Sequence, residues 1–318
     1  MIVAAIAGWG RGFYVDGAVR LALGDVEGMV FPRSAVKSIQ ALPLVEGGAA
    51  DRFGFGNREL ALACASHSGE PEHAALAGAM LERAGLGEAA LECGAHWPRE
   101  EFARALARQG REPSQLHNNC SGKHAGFLCA CCHAGVEHRG YVGADHWMQE
   151  EVRGALEAVT GARHGDENRA TDGCAIPTYA VPLKSLALGM ARMGTGVGLS
   201  PERAKAARRL FAACMAEPFL VAGTGRADTA MMAAARGRVF TKTGAEGVFC
   251  ASLPELGLGV AVKCEDGAAR AADAAVAGVL AGLVEGELRG ALEGMARGEL
   301  RNWNGVVVGE VRAVRGDG

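Results

Sequence analysis

Residues 238–263 read RVFTKTGAEGVFCASLPELGLGVAVK, and three runs within them, 238–241, 247–252 and 258–263, are short, apolar or β-branched, with turn residues between. Runs of that length and punctuation predict consecutive strands of an antiparallel meander. Upstream lies a series of helical patterns. Pro71 at a first helical position opens one that runs to about Ala84 and stops at Gly85. Residues 99–108 are amphipathic, 122–134 are largely apolar and closed by Gly135, and Asp145 caps a helix ending near Gly161. Pro182 opens the next, and Ser200 starts one that runs to about Ala216. Nearer the N-terminus, 19–23 and 29–31 read as a strand pair turning at Gly24-Asp25, and 34–42 fits a helix apolar on nearly every face, as buried helices are. After the meander come an Ala-rich helix over 269–295 and a final strand over 306–314. Strands, many helices, strands, helix, strand: this order predicts an α+β fold, an antiparallel sheet flanked by helices, and not a βαβα alternation. Without a repeat, a charge block or a Ser/Pro linker, residues 1–318 read as one domain.

Composition narrows the partners. The chain carries 33 Lys and Arg against 36 Asp and Glu, a net charge of −3, which offers no electrostatic footprint for nucleic acid or an anionic membrane and leaves small molecules as the natural ligands. The longest apolar run, about 274–284, falls well short of the roughly 20 residues a membrane span needs. The apolar opening, Met1 to Ala7, lacks a preceding basic region and predicts no signal peptide. Ten cysteines, three of them crowded at Cys129, Cys131 and Cys132, then read as thiols in a reducing compartment, the cytoplasm.

Several motifs can carry chemistry. In Ser34-Ala35-Val36-Lys37 the hydroxyl and amine are one helical turn apart. A lysine buried in an apolar helix is pulled toward its neutral form, which makes it a base for the serine. An N-cap serine followed by a surface lysine fits the same spacing. Lys242-Thr243-Gly244, in the strand-rich segment, matters because penicillin-recognising serine enzymes set an S-x-x-K helix against a K-T-G strand. The loop Ala65-Ser66-His67-Ser68-Gly69-Glu70-Pro71 supplies either helix caps or a second hydroxyl, Ser66, for a cleft. In His117-Asn118-Asn119-Cys120-Ser121-Gly122-Lys123-His124 the upstream glycine of a phosphate loop is missing, so a nucleotide site is rejected. Cys120 and Lys123 share a helix face there, and Cys174 in Thr171-Asp172-Gly173-Cys174 can approach them. Two thiolates can hold Zn²⁺, though a lysine must lose its proton to join them, and small buried cysteines are the plainer reading. Gly223-Thr224-Gly225-Arg226-Ala227-Asp228 is a glycine loop that can wrap a carboxylate or cap a helix, and Arg226 and Asp228 read equally well as a surface pair.

Taken together, Phe31-Pro32-Arg33-Ser34-Ala35-Val36-Lys37, Ala65-Ser66-His67-Ser68-Gly69-Glu70, the His117–His124 run, Thr171-Asp172-Gly173-Cys174 with Pro177, and Thr241-Lys242-Thr243-Gly244-Ala245-Glu246-Gly247 resemble the asparaginase II family of the Rhizobium etli type (class 3). The resemblance runs from about Arg20 to Val314. It implies a fold like the serine β-lactamases and glutaminases, a homodimer, and hydrolysis of L-asparagine to aspartate and ammonia. It also implies two Ser–Lys tandems, Ser34 with Lys37 and Ser66 with Lys242, Lys263 being the competing second lysine. The implied zinc ligands are Cys120, Lys123 and Cys174, with Arg33, His124 and Asp172 around the substrate. One departure stands out. Members are expected to begin with a polar strand, whereas residues 1–17 are apolar and Gly-rich, so the first strand is expected to be altered or missing.

Two other readings share these residues: another acyl-serine hydrolase on the same fold, such as a glutaminase or penicillin-recognising enzyme, and a non-enzymatic amino-acid sensor. A sensor has no need of a base beside a nucleophile, which favours an enzyme.

Overall fold

The computed structural model describes residues 1–8 and 17–314. Its centre is a five-stranded antiparallel sheet built from β1 (Ile2–Gly8), β2 (Val19–Leu23), β3 (Phe240–Thr243), β4 (Val248–Leu253) and β5 (Leu258–Cys264), in the order β2-β1-β5-β4-β3. The predicted meander is β3-β4-β5. The N-terminal strand is neither missing nor marginal: β1 sits between β2 and β5, pairing Val3 with Lys263 and Ala5 with Ala261. Small apolar side chains suit it to that place, because both its faces are covered. Val3, Ala5 and Ala7 join one core, while Ala4 and Ile6 join the other.

The helices used below are α1 (Asn57–Ala63), α2 (Pro71–Arg83), α3 (Ser121–Ala134), α4 (Leu183–Thr195), α5 (Pro201–Ala216), α6 (Ala227–Ala235), α7 (Ala269–Leu283) and α8 (Gly286–Met295). The period-two alternation of the strands sorts the sheet into two faces. Phe249, Ala251, Val260 and Val262 pack with Ala272, Val276 and Leu280 of α7. Cys250, Ala261 and Phe240 turn to the opposite core, shared with Leu186 and Met190 of α4 and Phe211 of α5. Lys242 is two residues from Phe240, so it too faces this helical side. Helix α4 lies unusually close to the sheet. A Cβ on Gly259 would collide with the backbone of Ala187 and Ala191.

The strand pair, the helix over 34–42, the unbroken Ala-rich helix and the Asp145 cap are corrected, while the final strand is present. Val19–Leu23 and Met29–Val30 are both strands, but they do not pair with each other: the first pairs with β1, and the second with Val181–Pro182. The segment expected as one helix over 34–42 begins as a 3-10 turn, Arg33–Val36, and continues as short helices Lys37–Gln40 and Leu42–Glu46. The Ala-rich helix breaks between α7 and α8, where Val284 and Glu285 are extended and Gly286 has φ +69°. The final strand, Val307–Arg312, forms a separate hairpin with Arg297–Arg301. Elsewhere, His146 and not Asp145 caps Trp147–Thr160, its Nδ1 accepting from the Met148 N–H.

Gly259→Ala is expected to push α4 off the sheet, at about 1–3 kcal/mol of stability and several degrees of melting temperature. Gly87→Ala, in an exposed turn with open space around it, is the control and should be silent. Equal melting of both variants would show that the close approach at Gly259 is dispensable.

Candidate active site

The 3-10 turn carrying Ser34 lies directly against the end of β3. A Cβ on Gly244 would stand 2.6 Å from the Pro32 carbonyl oxygen and 3.3 Å from the Ala35 Cβ. Only glycine lets the Lys242-Thr243-Gly244 segment come this near. The S-x-x-K and K-T-G segments are therefore neighbours in space. Ser34 is half-buried, while Lys37 and Lys242 are 1% and 0% exposed, which removes the surface-lysine reading of both motifs.

Lys37 Nζ donates to the Ala65 carbonyl at 2.7 Å, to Asn119 Oδ1 at 3.3 Å and to the Asn119 carbonyl at 3.4 Å. Among the described residues, none of its hydrogen bonds reaches the Ser34 hydroxyl. The amine reaches across to the Ala65–Ser66 segment. Burial lowers its pKa; Cys120 opposes that effect and Lys123 adds to it. For Lys242, burial takes the pKa down to about 8, Asp228 pulling it up and Lys37 pushing it down. Two buried amines that repel each other favour a state in which only one is charged. Lys242 Nζ donates to the Thr243 carbonyl at 2.9 Å. Lys263, the competing lysine, is half-buried and donates to the Glu246 carbonyl at 2.5 Å.

Ser66 follows Ala65, whose carbonyl receives the Lys37 amine. Its backbone N–H is held by the Val221 carbonyl at 2.9 Å, but its buried hydroxyl has no hydrogen-bond partner. The loop around it is rigidly fixed. His67 Nδ1 accepts from the Gly69 N–H at 3.1 Å, which leaves Nε2–H to donate to Ser121 Oγ at 2.9 Å. Ser121 in turn donates to the Leu116 carbonyl. Burial keeps His67 neutral. Glu70 accepts from the Thr224 N–H at 2.7 Å and its hydroxyl at 2.9 Å, tying this loop to the glycine loop at 223–225. The loop therefore does both jobs read from its sequence: Glu70 caps α2, and Ser66 presents an unpartnered hydroxyl.

The start of α3 brings in the thiols. Gly122 has no room for a Cβ against the Leu62 carbonyl, and that contact sets α3 on the end of α1, beside Ala65. Cys120 and Cys174 are electrostatically coupled. The neighbouring Cys174, with the charges of Lys37 and Lys123, draws the Cys120 thiol well below its ordinary pKa in spite of burial, and Cys120 and burial push Cys174 up. Lys123 Nζ donates to Cys174 Sγ at 3.2 Å. Burial pulls Lys123 down, but Cys174 and Cys120 outweigh it and the net shift is upward. The chemistry of the donor set, two coupled thiols with an amine on one of them, fits a thiophilic ion such as Zn²⁺ once Lys123 is deprotonated. Among the described residues no three His, Cys, Asp or Glu side chains gather as a metal cradle, so a metal here would need the lysine.

Arg33, Asp172 and Glu246 close the group. Arg33 Nε donates to Asp172 Oδ1 at 2.8 Å and Nη1 to Glu246 Oε1 at 2.5 Å. Burial alone would raise Asp172, but Lys123 and Arg33 bring its carboxyl below the usual range. His124 is fully buried between Phe127 and Tyr141, and burial holds it neutral. Tyr141 Oη accepts from the Glu92 N–H, so its own proton goes to His124 Nδ1 at 2.6 Å. That leaves His124 Nε2–H without a partner.

Arg33, Lys37, Cys120, Lys123, Asp172, Cys174 and Lys242 are thus joined by contacts or by mutual charge effects, with Ser66 following Ala65, whose carbonyl receives Lys37, and Ser34 on the adjoining turn. Sequence reasoning missed three participants: Asn119, which receives Lys37 and whose Oδ1 lies 3.0 Å from Cys120 Sγ; Glu246, which receives Arg33; and Asp228. Asn119 and Glu246 lay within quoted motifs, where only charge and nucleophile were weighed. Asp228 had been read as half of a surface pair, yet it is fully buried and 4.0 Å from Arg226.

The sequence profile of L-asparaginase II matches residues 13–313, nearly the whole chain. No curated protein matches it. The profile covers every motif described above, and on that ground the chain belongs to the L-asparaginase II family, a hydrolase of the asparaginase class.

Proposed function

We propose that the protein hydrolyses the side-chain amide of L-asparagine through an acyl-serine, with Ser34 as nucleophile and two buried lysines as proton carriers. The observation that carries the reading is that Lys37 and Lys242, buried and mutually repelling, adjoin the Ser34 turn, with Lys37 Nζ bonded to the Ala65 carbonyl next to the unpartnered Ser66 hydroxyl. Lys37 as a free amine takes the Ser34 proton, and Ser34 Oγ attacks the amide carbonyl carbon. Ser66 and Lys242, the latter also as a free amine, pass that proton to the departing nitrogen, and ammonia leaves. Water then attacks the acyl carbon, aspartate is released and Ser34 regains its proton. A backbone N–H at the Ser34 turn serves the oxyanion. Arg33 offers a cation to the substrate α-carboxylate, Asp172 an acceptor to its ammonium, and His124 Nε2–H a further donor. Cys120, Cys174 and deprotonated Lys123 would hold Zn²⁺, which when bound supplies positive charge to polar substrate atoms.

The wider reading follows the same evidence. Strand β1 pairs with β5 across nearly the whole chain, which supports a single domain, read here as β-lactamase/glutaminase-like; the Rhizobium etli-type branch is read from the motif resemblance alone. The C-terminal hairpin leaves Trp303, Val307 and Val308 exposed, surface suited to a second copy in a homodimer. All ten cysteines are free, in keeping with a reducing cytoplasm, and no helix among the described residues is long and apolar enough to cross a membrane.

The direct test is ammonia release from asparagine, with glutamine and a chromogenic β-lactam alongside. Asparagine should be preferred, and Ser34→Ala should lose about a thousandfold or more in kcat/KM. Turnover near wild type in Ser34→Ala removes it as nucleophile, and preference for glutamine or the β-lactam changes the substrate.

The pH profile checks the lysines. The working form needs free amines, so kcat/KM should rise with pH and level off above about 8. A profile that falls through that range would reverse the role of Lys242.

Zinc content is measured apart from activity. After equilibration with Zn²⁺ and removal of excess, the wild type should retain about one ion per chain, and Cys120→Ser and Cys174→Ser should each retain little. Equal retention by all three proteins places any metal elsewhere.

A further inference from the structure

Asp228 occupies the second position of α6 and is completely buried, although nothing in the reaction above uses it. Its carboxylate makes two close contacts with one residue. Oδ1 accepts from the Thr243 N–H at 2.5 Å, and Oδ2 accepts from the Thr243 hydroxyl at 2.5 Å. A third contact adjoins them: the Thr241 hydroxyl donates to the Asp228 carbonyl at 3.3 Å. The strand alternation explains the division of labour. Thr241 and Thr243 turn to α6, while Phe240 and Lys242 turn to the opposite face.

We propose that Asp228 is a positioning residue for the reaction: by clamping both donors of Thr243 it fixes the peptide that carries Lys242, and with it the distance from the Lys242 amine to Ser66 and the Ser34 turn. The inference rests on the assignment of Lys242 as a proton carrier.

The chain of contacts is short. Asp228 fixes the Thr243 N–H, which belongs to the Lys242–Thr243 peptide. The Thr243 carbonyl receives the Lys242 amine at 2.9 Å. The following residue, Gly244, is the one that abuts Pro32 and Ala35 beneath Ser34. A carboxylate at the first turn of α6 also meets the positive end of the helix dipole, which suits a buried acceptor of this kind. Strand β3 is an edge strand, bonded only to β4 in the sheet, so its free edge needs an outside partner to set its position. Asp228 is that partner.

The clamp has an electrostatic side. Asp228 is the acidic group that opposes the fall of the Lys242 pKa. The other groups that bear on Lys242 are Lys37 from the Ser34 helix, Arg226 from the glycine loop and Cys120 from α3; the buried thiols of Cys214 on α5 and Cys250 on β4 in turn feel Lys242. Asp273 on α7 faces Asp228 from the far side, raised to about 6 by burial first, then by Asp228, with Arg226 opposing.

The experiment compares Asp228→Asn, Thr243→Val and Lys242→Met in the full-length protein, reading kcat/KM for asparagine against pH together with thermal unfolding. Asparagine at 228 can still accept from the Thr243 N–H, so the fold is retained while the charge is lost. The Asp228→Asn limb near pH 8 should move to lower pH by about half a unit to one unit, with kcat falling at least fivefold. Thr243→Val, which keeps the charge and loses the hydroxyl contact, should lower kcat with the limb unmoved. If Asp228→Asn keeps both the wild-type limb and the wild-type kcat while Lys242→Met is inactive, the positioning role is refuted and the role of Lys242 stands. If Lys242→Met is active, the underlying assignment fails, and the clamp fails with it. An Asp228→Asn protein that lowered the melting temperature without moving the limb would merely have loosened the fold, which also counts against the proposal.

Discussion

Three lysines, Lys37, Lys123 and Lys242, are almost entirely hidden from water within one cluster, and the rest of the site is arranged around that fact. A buried ammonium without partners is very costly, so each amine must find acceptors, lose its proton or both. The chain uses a different answer for each. Lys37 has three oxygen acceptors from Ala65 and Asn119. Lys123 has a thiol pair that leans toward its thiolate form because the lysines are there. Lys242 has one carbonyl, and accordingly shows a value lowered to about 8. Burial draws both Lys37 and Lys242 toward the free-base form. Chemistry and packing are therefore the same problem here: solvating Lys242 better would stabilise the charged amine and blunt the base.

Backbone architecture supplies the frame for this electrostatic arrangement. The three motif segments are brought together by close backbone contacts, and the contacts depend on missing side chains. Gly244 lets β3 reach the Ser34 turn, Gly122 lets α3 sit on the end of α1, and Gly223, with φ +110°, lets its loop pass against Ser68 and Glu70. Each substitution by alanine would press on a carbonyl or on a fixed polar side chain, not on a yielding apolar neighbour. The high glycine content thus acts here as a means of close approach between elements, in addition to making turns.

Much of this was legible in the sequence, and the illegible parts have a common cause. The meander, α2, α3 and α5 follow from local signals such as Pro71, Gly135 and Ser200, and the motif residues did gather. What failed was non-local pairing. Val19–Leu23 looked like the natural partner of the next strand, yet its partner is Ile2–Gly8, and the register of β1 is set by β5 from the far end of the chain. Helix 269–295 had no proline to announce its break; the interruption rests on Gly286 adopting a left-handed φ within an Ala-rich stretch. Asp228 escaped notice because an arginine two residues away suggested an exposed pair. Only the tertiary structure shows that Thr243, not Arg226, is its close partner.

The same tertiary determination explains where the backbone is strained. Four non-glycine residues among those described have positive φ: Arg33, Ala175, Arg236 and Glu246. Arg33 precedes Ser34, Ala175 follows Cys174, and Glu246 receives the Arg33 guanidinium, so three of the four border one group of side chains. Such conformations cost on the order of 1–3 kcal/mol each and persist only where surrounding contacts over-determine them. Arg33 is held by Asp172 and Glu246 at once. Asp172 is itself fixed by the Gly173 N–H in the turn that ends at Ala175, where the Ala175 N–H returns to the Asp172 carbonyl. Strain and ion pairs are thus two sides of one arrangement: the left-handed turn at Arg33 aims its guanidinium at two carboxylates, and their attraction keeps the turn from relaxing. A straight helical entry to Ser34 would remove that strain, and with it the geometry that lets Arg33 reach Asp172 and Glu246 at once.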